Sequence, residues 1–322
     1  MSGAVDWALA LHGGAGTILR EHLSPEDETR YRAGLEVALA AGRAVLEAGG
    51  TALDAVEETV TALEENPVFN AGKGSVLTAE GAVEMDAAIM DGASLDAGAV
   101  IGLRRVRNPV RLARQVMEHS PHVMLAWQGA EDFARHMGAE TMALEWFVTG
   151  HRSTQLAEAR AANVVSLDHS DGKYGTVGAV ARDRNGNLAA ATSTGGMTNK
   201  QPGRVGDAPL IGAGTYASNR SCAVSATGHG EMFIRLTVAR DIAAMMEYQG
   251  LDLAAATYRK VHEELPRIDG AGGVIAVGAE GAPVLSFNSE GMYRAAQCEG
   301  AAPIIAIFED APQDGDPEGT GK

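Results

Sequence analysis

Cysteine is scarce in this sequence: Cys222 and Cys298 are the only two among 322 residues. Two thiols are too few for a disulfide framework, a four-thiolate zinc site or an iron–sulfur cluster, so we expect a reducing compartment. No apolar run approaches the roughly 18 residues that a membrane span requires. The first residues lack the basic segment of a secretory signal. These absences together predict a cytoplasmic protein.

Basic residues are also few. The chain has 26 Lys and Arg against 42 Asp and Glu, a formal net charge of -16. This charge has the wrong sign for binding phosphate backbones or anionic lipid, so we expect no nucleic acid and no membrane partner. Forty glycines without the three-residue period of collagen indicate many tight turns and close backbone approaches.

The first half of the chain is predominantly helical in pattern. A short strand is predicted over 7–11, ending at a glycine-rich segment that begins with His12. Ser24-Pro-Glu-Asp27 is a capping box that opens a helix, and Thr51 opens the next. A third helix begins at Asn108-Pro109, and helical pattern continues to about Ala162.

The second half has the pattern of hairpins. Strands are predicted over 176–181 and 188–194, joined by an Asn-Gly turn, with a further strand over 221–227, a second hairpin over 273–288 that turns at 279–282, and one helix over 231–247. Segment 163–175 is the best candidate boundary, and the Gly-, Pro- and Asp-rich tail 311–322 is predicted to be disordered. Hairpins with covering helices predict an α+β fold of two mostly antiparallel sheets between helical layers.

Several common site motifs fail on inspection. Gly212–Ala217 matches a loose dinucleotide fingerprint but lacks a strongly apolar strand before it, which leaves a nucleotide-binding module as a weak alternative. Asn70–Ser75 lacks the residues of a phosphate-binding loop. Gly92–Asp96 breaks the serine-hydrolase pattern at its last position. His119 and His122 flank a proline that prevents them from sharing one metal on a helix.

Hydroxyl residues beside glycines remain. Thr176, Thr194 and Thr227 lie at predicted strand ends next to glycine, where a substrate could approach backbone amides closely. Threonine is also common in strands for its branched side chain, so the pattern alone is only suggestive. Arg204 and Asp207 lie three apart in a glycine-flanked loop. They could be a local ion pair or a clamp for a zwitterion.

Seven ordered motifs resemble the plant-type L-asparaginases, also called isoaspartyl peptidases, of the N-terminal nucleophile (Ntn) hydrolases. The resemblance runs from about residue 5 to 308 and therefore covers nearly the whole chain. It implies the four-layer αββα sandwich of that family. The motifs are Leu11-His-Gly-Gly-Ala-Gly16, Asn66-Pro-Val-Phe-Asn-Ala-Gly72, Met85-Asp-Ala-Ala-Ile-Met-Asp-Gly92, Gly175-Thr-Val-Gly178, Thr192-Ser-Thr-Gly-Gly196, Gly203-Arg-Val-Gly-Asp207 and Thr227-Gly-His-Gly-Glu231.

The resemblance implies self-cleavage between Gly175 and Thr176 into an α chain, 1–175, and a β chain, 176–322. Thr176 would then carry a free α-amine, with a reference pKa of about 7.7 to 8.0, that serves as general base for its own hydroxyl. Thr194 would hydrogen-bond the nucleophile, and the Thr227 hydroxyl and Gly228 amide would form the oxyanion hole.

In the same way, Arg204 would hold the substrate α-carboxylate and Asp207 its α-amine. Asparagine and β-aspartyl dipeptides both fit this clamp, and both would release L-aspartate. The resemblance implies a dimer of αβ units and no cofactor required for catalysis. It also implies a structural Na⁺ held by the backbone carbonyls of Leu63, Glu64, Asn66, Phe69, Ala71 and Lys73.

Two points stay open at this level. A glycosylasparaginase would share the nucleophile and the clamp, but such enzymes are typically exported, and this chain lacks a signal peptide and a disulfide set. Many relatives have threonine where this chain has His229, which leaves substrate preference at that position undetermined.

Overall fold

Two β-sheets lie face to face between helices in the computed structural model, which describes residues 6–165 and 175–309. Within these residues the larger sheet has the strand order β12-β11-β1-β5-β6-β2-β3-β4 and the smaller one β10-β9-β8-β7. The strands are β1 Ala8–Gly16, β2 Met85–Asp91, β3 Ala97–Leu103, β4 Met124–Ala126, β5 Val177–Arg182, β6 Leu188–Thr194, β7 Thr215–Ala217, β8 Cys222–Gly228, β9 Gly272–Gly278, β10 Val284–Phe287, β11 Gly291–Cys298 and β12 Ile304–Phe308.

The helices pack on the outer faces of both sheets. They are α1 Pro25–Glu47, α2 Ala52–Glu65, α3 Pro109–His119, α4 Trp127–His136, α5 Leu144–Phe147, α6 Gly150–Ala162, α7 Gly230–Arg235, α8 Val238–Gln249 and α9 Leu253–Tyr258. A π-helical turn, Arg259–Glu264, and a 3₁₀ turn, Leu265–Ile268, follow α9. None of the helices in the described part of the chain is both long and apolar enough to cross a membrane.

Three apolar clusters separate the layers. One joins α1, α2 and α3 to the outer face of the larger sheet, a second lies between the sheets, and a third joins α8 and α9 to the smaller sheet. Among the described strands, adjacent pairs are antiparallel except for β3 and β4. The predicted four-layer αββα sandwich is therefore confirmed.

Local sequence signals account for several element boundaries. The Ser24 hydroxyl caps α1 by accepting the Asp27 amide, and Thr51 caps α2 by accepting the Asp54 amide. The predicted hairpin forms between β5 and β6, with Val177 opposite Ser193. The strand predicted over 7–11 is longer than expected, because it continues with a bulge through the glycines to Gly16.

One predicted helix is wrong as a single element. The segment 231–247 forms two helices, because Thr237 has a left-handed backbone, φ +44°, between α7 and α8. The predicted disorder of 311–322 lies outside the described residues, as does most of the proposed boundary 163–175. The predicted division into chains 1–175 and 176–322 stays a prediction.

Candidate active site

The hydroxyls of Thr176 and Thr194 meet at the end of the β5–β6 hairpin. Thr176 immediately precedes β5, and its hydroxyl donates to Thr194 Oγ1 over 3.1 Å. Thr194 ends β6 and its Oγ1 also accepts the Gly196 amide over 2.9 Å. Both threonines are buried. The antiparallel register of the hairpin thus brings together two of the residues that the sequence singled out.

Gly175 lies between strands β1 and β8. A Cβ at Gly14 would come within 2.9 Å of Gly175 Cα, and one at Gly175 would come within 2.6 Å of Thr227 Oγ1. Thr227 Oγ1 itself accepts the Ala15 amide over 3.2 Å. The bond between Gly175 and Thr176 is therefore packed closely against the predicted oxyanion residue, and a side chain on either glycine would disturb it.

Arg204 and Asp207 lie beside the same glycine but do not bond to each other. A Cβ on Gly230 would lie 2.8 Å from Asp207 Oδ1 and 2.9 Å from Arg204 Nη2. The Arg204 guanidinium instead donates twice to the Glu231 carboxylate, over 3.0 and 2.9 Å. The structure therefore does not contain the local ion pair between Arg204 and Asp207 that was one interpretation of the sequence.

Asp207 is a buried carboxyl with spare hydrogen-bonding capacity. Its Oδ2 has no hydrogen-bond partner among the residues that the structure describes. Burial raises the pKa of Asp207 to about 7, although the nearby Arg204 charge acts in the opposite direction. A buried oxygen of this kind is costly unless a donor reaches it, so it is suited to receive an ammonium group from a ligand.

A second set of charges fixes the loop that carries Arg204. The Glu84 carboxylate accepts the Gly203 amide over 2.9 Å and Arg104 Nη2 over 2.6 Å. Lys200 is fully buried and donates to the Glu84 carbonyl over 2.6 Å. Sequence reasoning missed these roles and that of Glu231. The only signal was that Glu231 closes one of the quoted motifs.

His229 borders the same charges. Its Nε2 lies 3.6 Å from Glu231 Oε2, and its side chain is about one third exposed at 30%. The position that the sequence left undetermined therefore lies beside the carboxylate that holds Arg204. The arrangement adds a titratable ring next to the carboxylate that holds Arg204.

The carbonyls predicted to hold sodium lie in the last turn of α2 and in the loop that follows it. Backbone amides already bond to the carbonyls of Leu63, Glu64 and Asn66. The carbonyls of Phe69, Ala71 and Lys73 accept no hydrogen bond from the residues that the structure describes. Uncharged oxygen donors of this kind fit a hard cation such as Na⁺.

The weak nucleotide-binding alternative does not find its expected framework. Gly212 donates to the Thr215 carbonyl in a tight turn that leads into the short strand β7. A dinucleotide fingerprint needs a helix directly after its glycines, and a strand follows them here.

A sequence model of the asparaginase family matches residues 5–307. This chain belongs to the asparaginase family. It is 55% identical to the isoaspartyl peptidase of Salmonella typhimurium, over 94% of this chain and 98% of that protein. It is also 43% identical to a probable isoaspartyl peptidase/L-asparaginase of Arabidopsis thaliana, over 94% of this chain and 99% of that protein. The resemblance to this family that the seven motifs indicated is therefore confirmed.

Proposed function

We propose that this protein is a self-processing amidohydrolase that cleaves β-aspartyl dipeptides and L-asparagine and releases L-aspartate. Two observations carry the proposal. The buried hydroxyls of Thr176 and Thr194 lie next to the Gly175–Thr176 bond, which Gly14 packs against, and the Arg204 guanidinium and the buried Asp207 carboxyl, whose Oδ2 is unpaired, lie beside Gly230. The names of the relatives in Salmonella typhimurium and Arabidopsis thaliana support the same substrate class.

Self-cleavage would use Thr176 as the nucleophile. Its Oγ1 attacks the Gly175 carbonyl carbon, the peptide C–N bond breaks, and the hydroxyl proton passes to the departing nitrogen. The resulting ester joins Gly175 to Thr176, and water then opens it to a Gly175 carboxylate and a free hydroxyl. The Thr176 α-amine is released beside its own side chain. The surroundings of Gly175 support this step, because a Cβ on Gly175 would lie 2.6 Å from Thr227 Oγ1, the hydroxyl expected in the oxyanion hole.

Substrate hydrolysis would repeat the same chemistry on a bound β-amide. The neutral α-amine of Thr176 takes the hydroxyl proton, Oγ1 attacks the β-carbonyl, and ammonia or an amino acid leaves. The Thr227 hydroxyl and Gly228 amide would stabilise the oxyanion. The acyl-enzyme then reacts with water and L-aspartate departs. Thr194, already in contact with Thr176 Oγ1, would orient the nucleophile.

Recognition would depend on the α-carbon substituents that both substrates share. Arg204 would bind the α-carboxylate, because its planar guanidinium matches a carboxylate with two parallel hydrogen bonds. Asp207 would bind the α-ammonium, which would donate a hydrogen bond to the unpaired Oδ2. A β-linked group of any size could then extend away from the clamp, which is why one site could open an amide or a dipeptide.

Three further expectations belong to this proposal. The mature protein would consist of chains 1–175 and 176–322, assembled as a dimer of αβ units. The carbonyl loop after α2 would hold Na⁺ in a structural role, with Phe69, Ala71 and Lys73 supplying free oxygens. The protein would work in the cytoplasm.

Intact-mass spectrometry of the purified protein tests the proposal most directly. We expect two chains that begin at residues 1 and 176, and hydrolysis of a β-aspartyl dipeptide and of L-asparagine. Thr176→Ala should give one uncut chain without activity, whereas Thr176→Ser, which keeps a hydroxyl, should retain some cleavage. Two chains in the alanine variant would refute the assigned nucleophile. Preference for a glycosylated asparagine in the same assay would favour the glycosylasparaginase alternative.

A further inference from the structure

A chain of four buried polar side chains lies beneath the candidate nucleophile. It runs from His12 on β1 through Ser225 on β8 and Thr192 on β6 to Thr215 on β7, and all four side chains are fully buried. The distances are 2.9 Å from His12 Nε2 to Ser225 Oγ, 2.7 Å from Ser225 Oγ to Thr192 Oγ1, and 2.6 Å from Thr192 Oγ1 to Thr215 Oγ1. We call these residues the polar relay.

The relay is registered with the catalytic hydroxyls by the period of a strand. Thr192 and Thr194 are two apart on β6, and Ser225 and Thr227 are two apart on β8, so each pair shares a face. On each of these two strands, the relay residue therefore lies two positions before a residue whose hydroxyl is proposed to take part in the chemistry.

The His12 end of the relay contacts Thr176 itself. His12 Nδ1 lies 2.9 Å from the Thr176 carbonyl oxygen. A carbonyl only accepts, so Nδ1 carries the proton and Nε2 accepts from the Ser225 hydroxyl. Ser225 then accepts from Thr192, and Thr192 from Thr215. With a neutral imidazole, this end constraint fixes the direction of the hydrogen bonds from His12 to Thr192. The single hydroxyl proton of Thr215 has two acceptors, Thr192 Oγ1 and the Ala208 carbonyl oxygen 2.9 Å away. Burial also lowers the pKa of His12 to about 3, which keeps the ring neutral.

The space for the relay is kept by a glycine. Gly178 is two residues after Thr176 on the same face of the chain. A Cβ there would overlap Ser225 Oγ and lie 2.7 Å from His12 Nε2. The glycine of the Gly175-Thr-Val-Gly178 motif therefore has a spatial reason, since any side chain would displace the bond between His12 and Ser225.

We propose that His12 is a positioning residue that holds Thr176 through its carbonyl in the reactive orientation. This inference rests on the proposed function, in which Thr176 becomes a chain terminus. Terminal residues are poorly ordered unless they are tied down. After cleavage Thr176 loses its anchor to Gly175, and the bond from His12 then limits rotation of the residue that carries both the hydroxyl and the amine. A small misplacement of a nucleophile lowers turnover strongly.

Two substitutions at His12 separate hydrogen bonding from packing. The amide nitrogen of His12→Asn lies near the position of Nδ1 and can still donate to the Thr176 carbonyl, whereas that of His12→Gln lies near Nε2. We expect kcat to fall by about 100-fold in His12→Gln and by only about tenfold in His12→Asn. KM should stay within about twofold in both, because neither variant touches the clamp.

A second pair of variants keeps the test independent of changes at His12. Ser225→Ala removes the donor to Nε2 and should lower kcat by about tenfold. Ser221→Ala removes a buried serine hydroxyl immediately before the same strand, bonded to Glu247, and should leave kcat unchanged. Unfolding temperatures of all variants should stay within a few degrees of the parent.

The outcomes distinguish this inference from the proposed function. If mass spectrometry of the parent finds no chain beginning at Thr176, the proposed function fails. If that chain is found but His12→Gln and Ser225→Ala both self-cleave and turn over at parental rates, the positioning role is overturned. Histidine-selective ¹⁵N NMR gives a further readout: we expect one ring to remain neutral, protonated at Nδ1, from pH 5 to 8 in the parent. A ring in this relay that titrates in that range would also overturn the inference.

Discussion

Burial of the Asp207 carboxyl should lower the free energy of unfolding of the ligand-free protein, by an amount that depends on pH. Burial raises its pKa from 3.8 to about 7, so the folded state retains a proton that the unfolded state has already released. Stability therefore falls as the pH rises through this interval and levels off above about 7. The linkage amounts to a loss of about 4 kcal/mol at pH 8 and about 1.7 kcal/mol at pH 5.

Asp207→Asn keeps the shape and removes this titration. The free energy of unfolding of the variant relative to the parent should thus rise by about 2.5 kcal/mol between pH 5 and pH 8, whatever constant offset the amide adds. Denaturant titrations at both pH values measure this change. They are best made in the Thr176→Ala background, where a single chain unfolds, and at one protein concentration.

An exposed carboxyl provides the control. The hydrogen bond from Arg135 lowers the pKa of Asp132 below its ordinary value of 3.8, so this carboxyl is ionised in both the folded and the unfolded state above pH 5, and Asp132→Asn should show no change between pH 5 and pH 8. A difference between parent and Asp207→Asn that is equal at pH 5 and pH 8 would refute the reasoning. It would mean that Asp207 is not held in the desolvated state described above.

Three further predictions concern the clamp and the support beneath it. Arg204→Lys should raise KM for L-asparagine about tenfold to hundredfold with a smaller effect on kcat, since a lysine cannot form two parallel bonds to a carboxylate; steady-state kinetics checks this. In the parent, kcat/KM should fall as the pH drops below about 7, because Asp207 takes up a proton there, and this single protonation contributes up to about tenfold per pH unit. A flat profile from pH 5 to 7 would contradict this. Burial raises the pKa of Glu64 to about 8. The free energy of unfolding of Glu64→Gln, measured by urea unfolding, should therefore rise relative to that of the parent by about 3 kcal/mol from pH 4 to pH 7. A difference that does not depend on pH would show that Glu64 stays ionised in the folded state.

Local signals in the sequence were sufficient for the elements with strong punctuation. The caps at Ser24 and Thr51 and the hairpin joining β5 and β6 each depend on residues a few positions apart, so their chemistry is visible in a short window. The break at Thr237 was not predictable in this way. Thr237 carries no special turn signal, and the helices on either side of it, α7 and α8, pack into the same apolar cluster.

The reactive threonines could be proposed from resemblance, but their support could not. His12 is separated from Thr176 by 164 positions and from Ser225 by 213. Only the pairing of β1 with β5 and the packing of the two sheets against each other bring these residues together. A lone histidine next to glycines is equally typical of a turn. The partner of Arg204 was missed for a related reason, since a loop aspartate three residues away seemed nearer in sequence than Glu231 on α7.

The strand order of the larger sheet has a consequence for the two chains that cleavage would create. Strand β1, from the first chain, lies between β11 and β5 of the second, while β6 of the second lies beside β2 of the first. The products would be interleaved rather than docked side by side. Neither chain could dissociate without breaking the hydrogen bonds between its own strands and those of the other chain, so cutting the backbone would not release a subunit. Each chain made separately would lack the strands that pair with its own in the middle of the larger sheet, so we expect the protein to fold as one chain before it is cut.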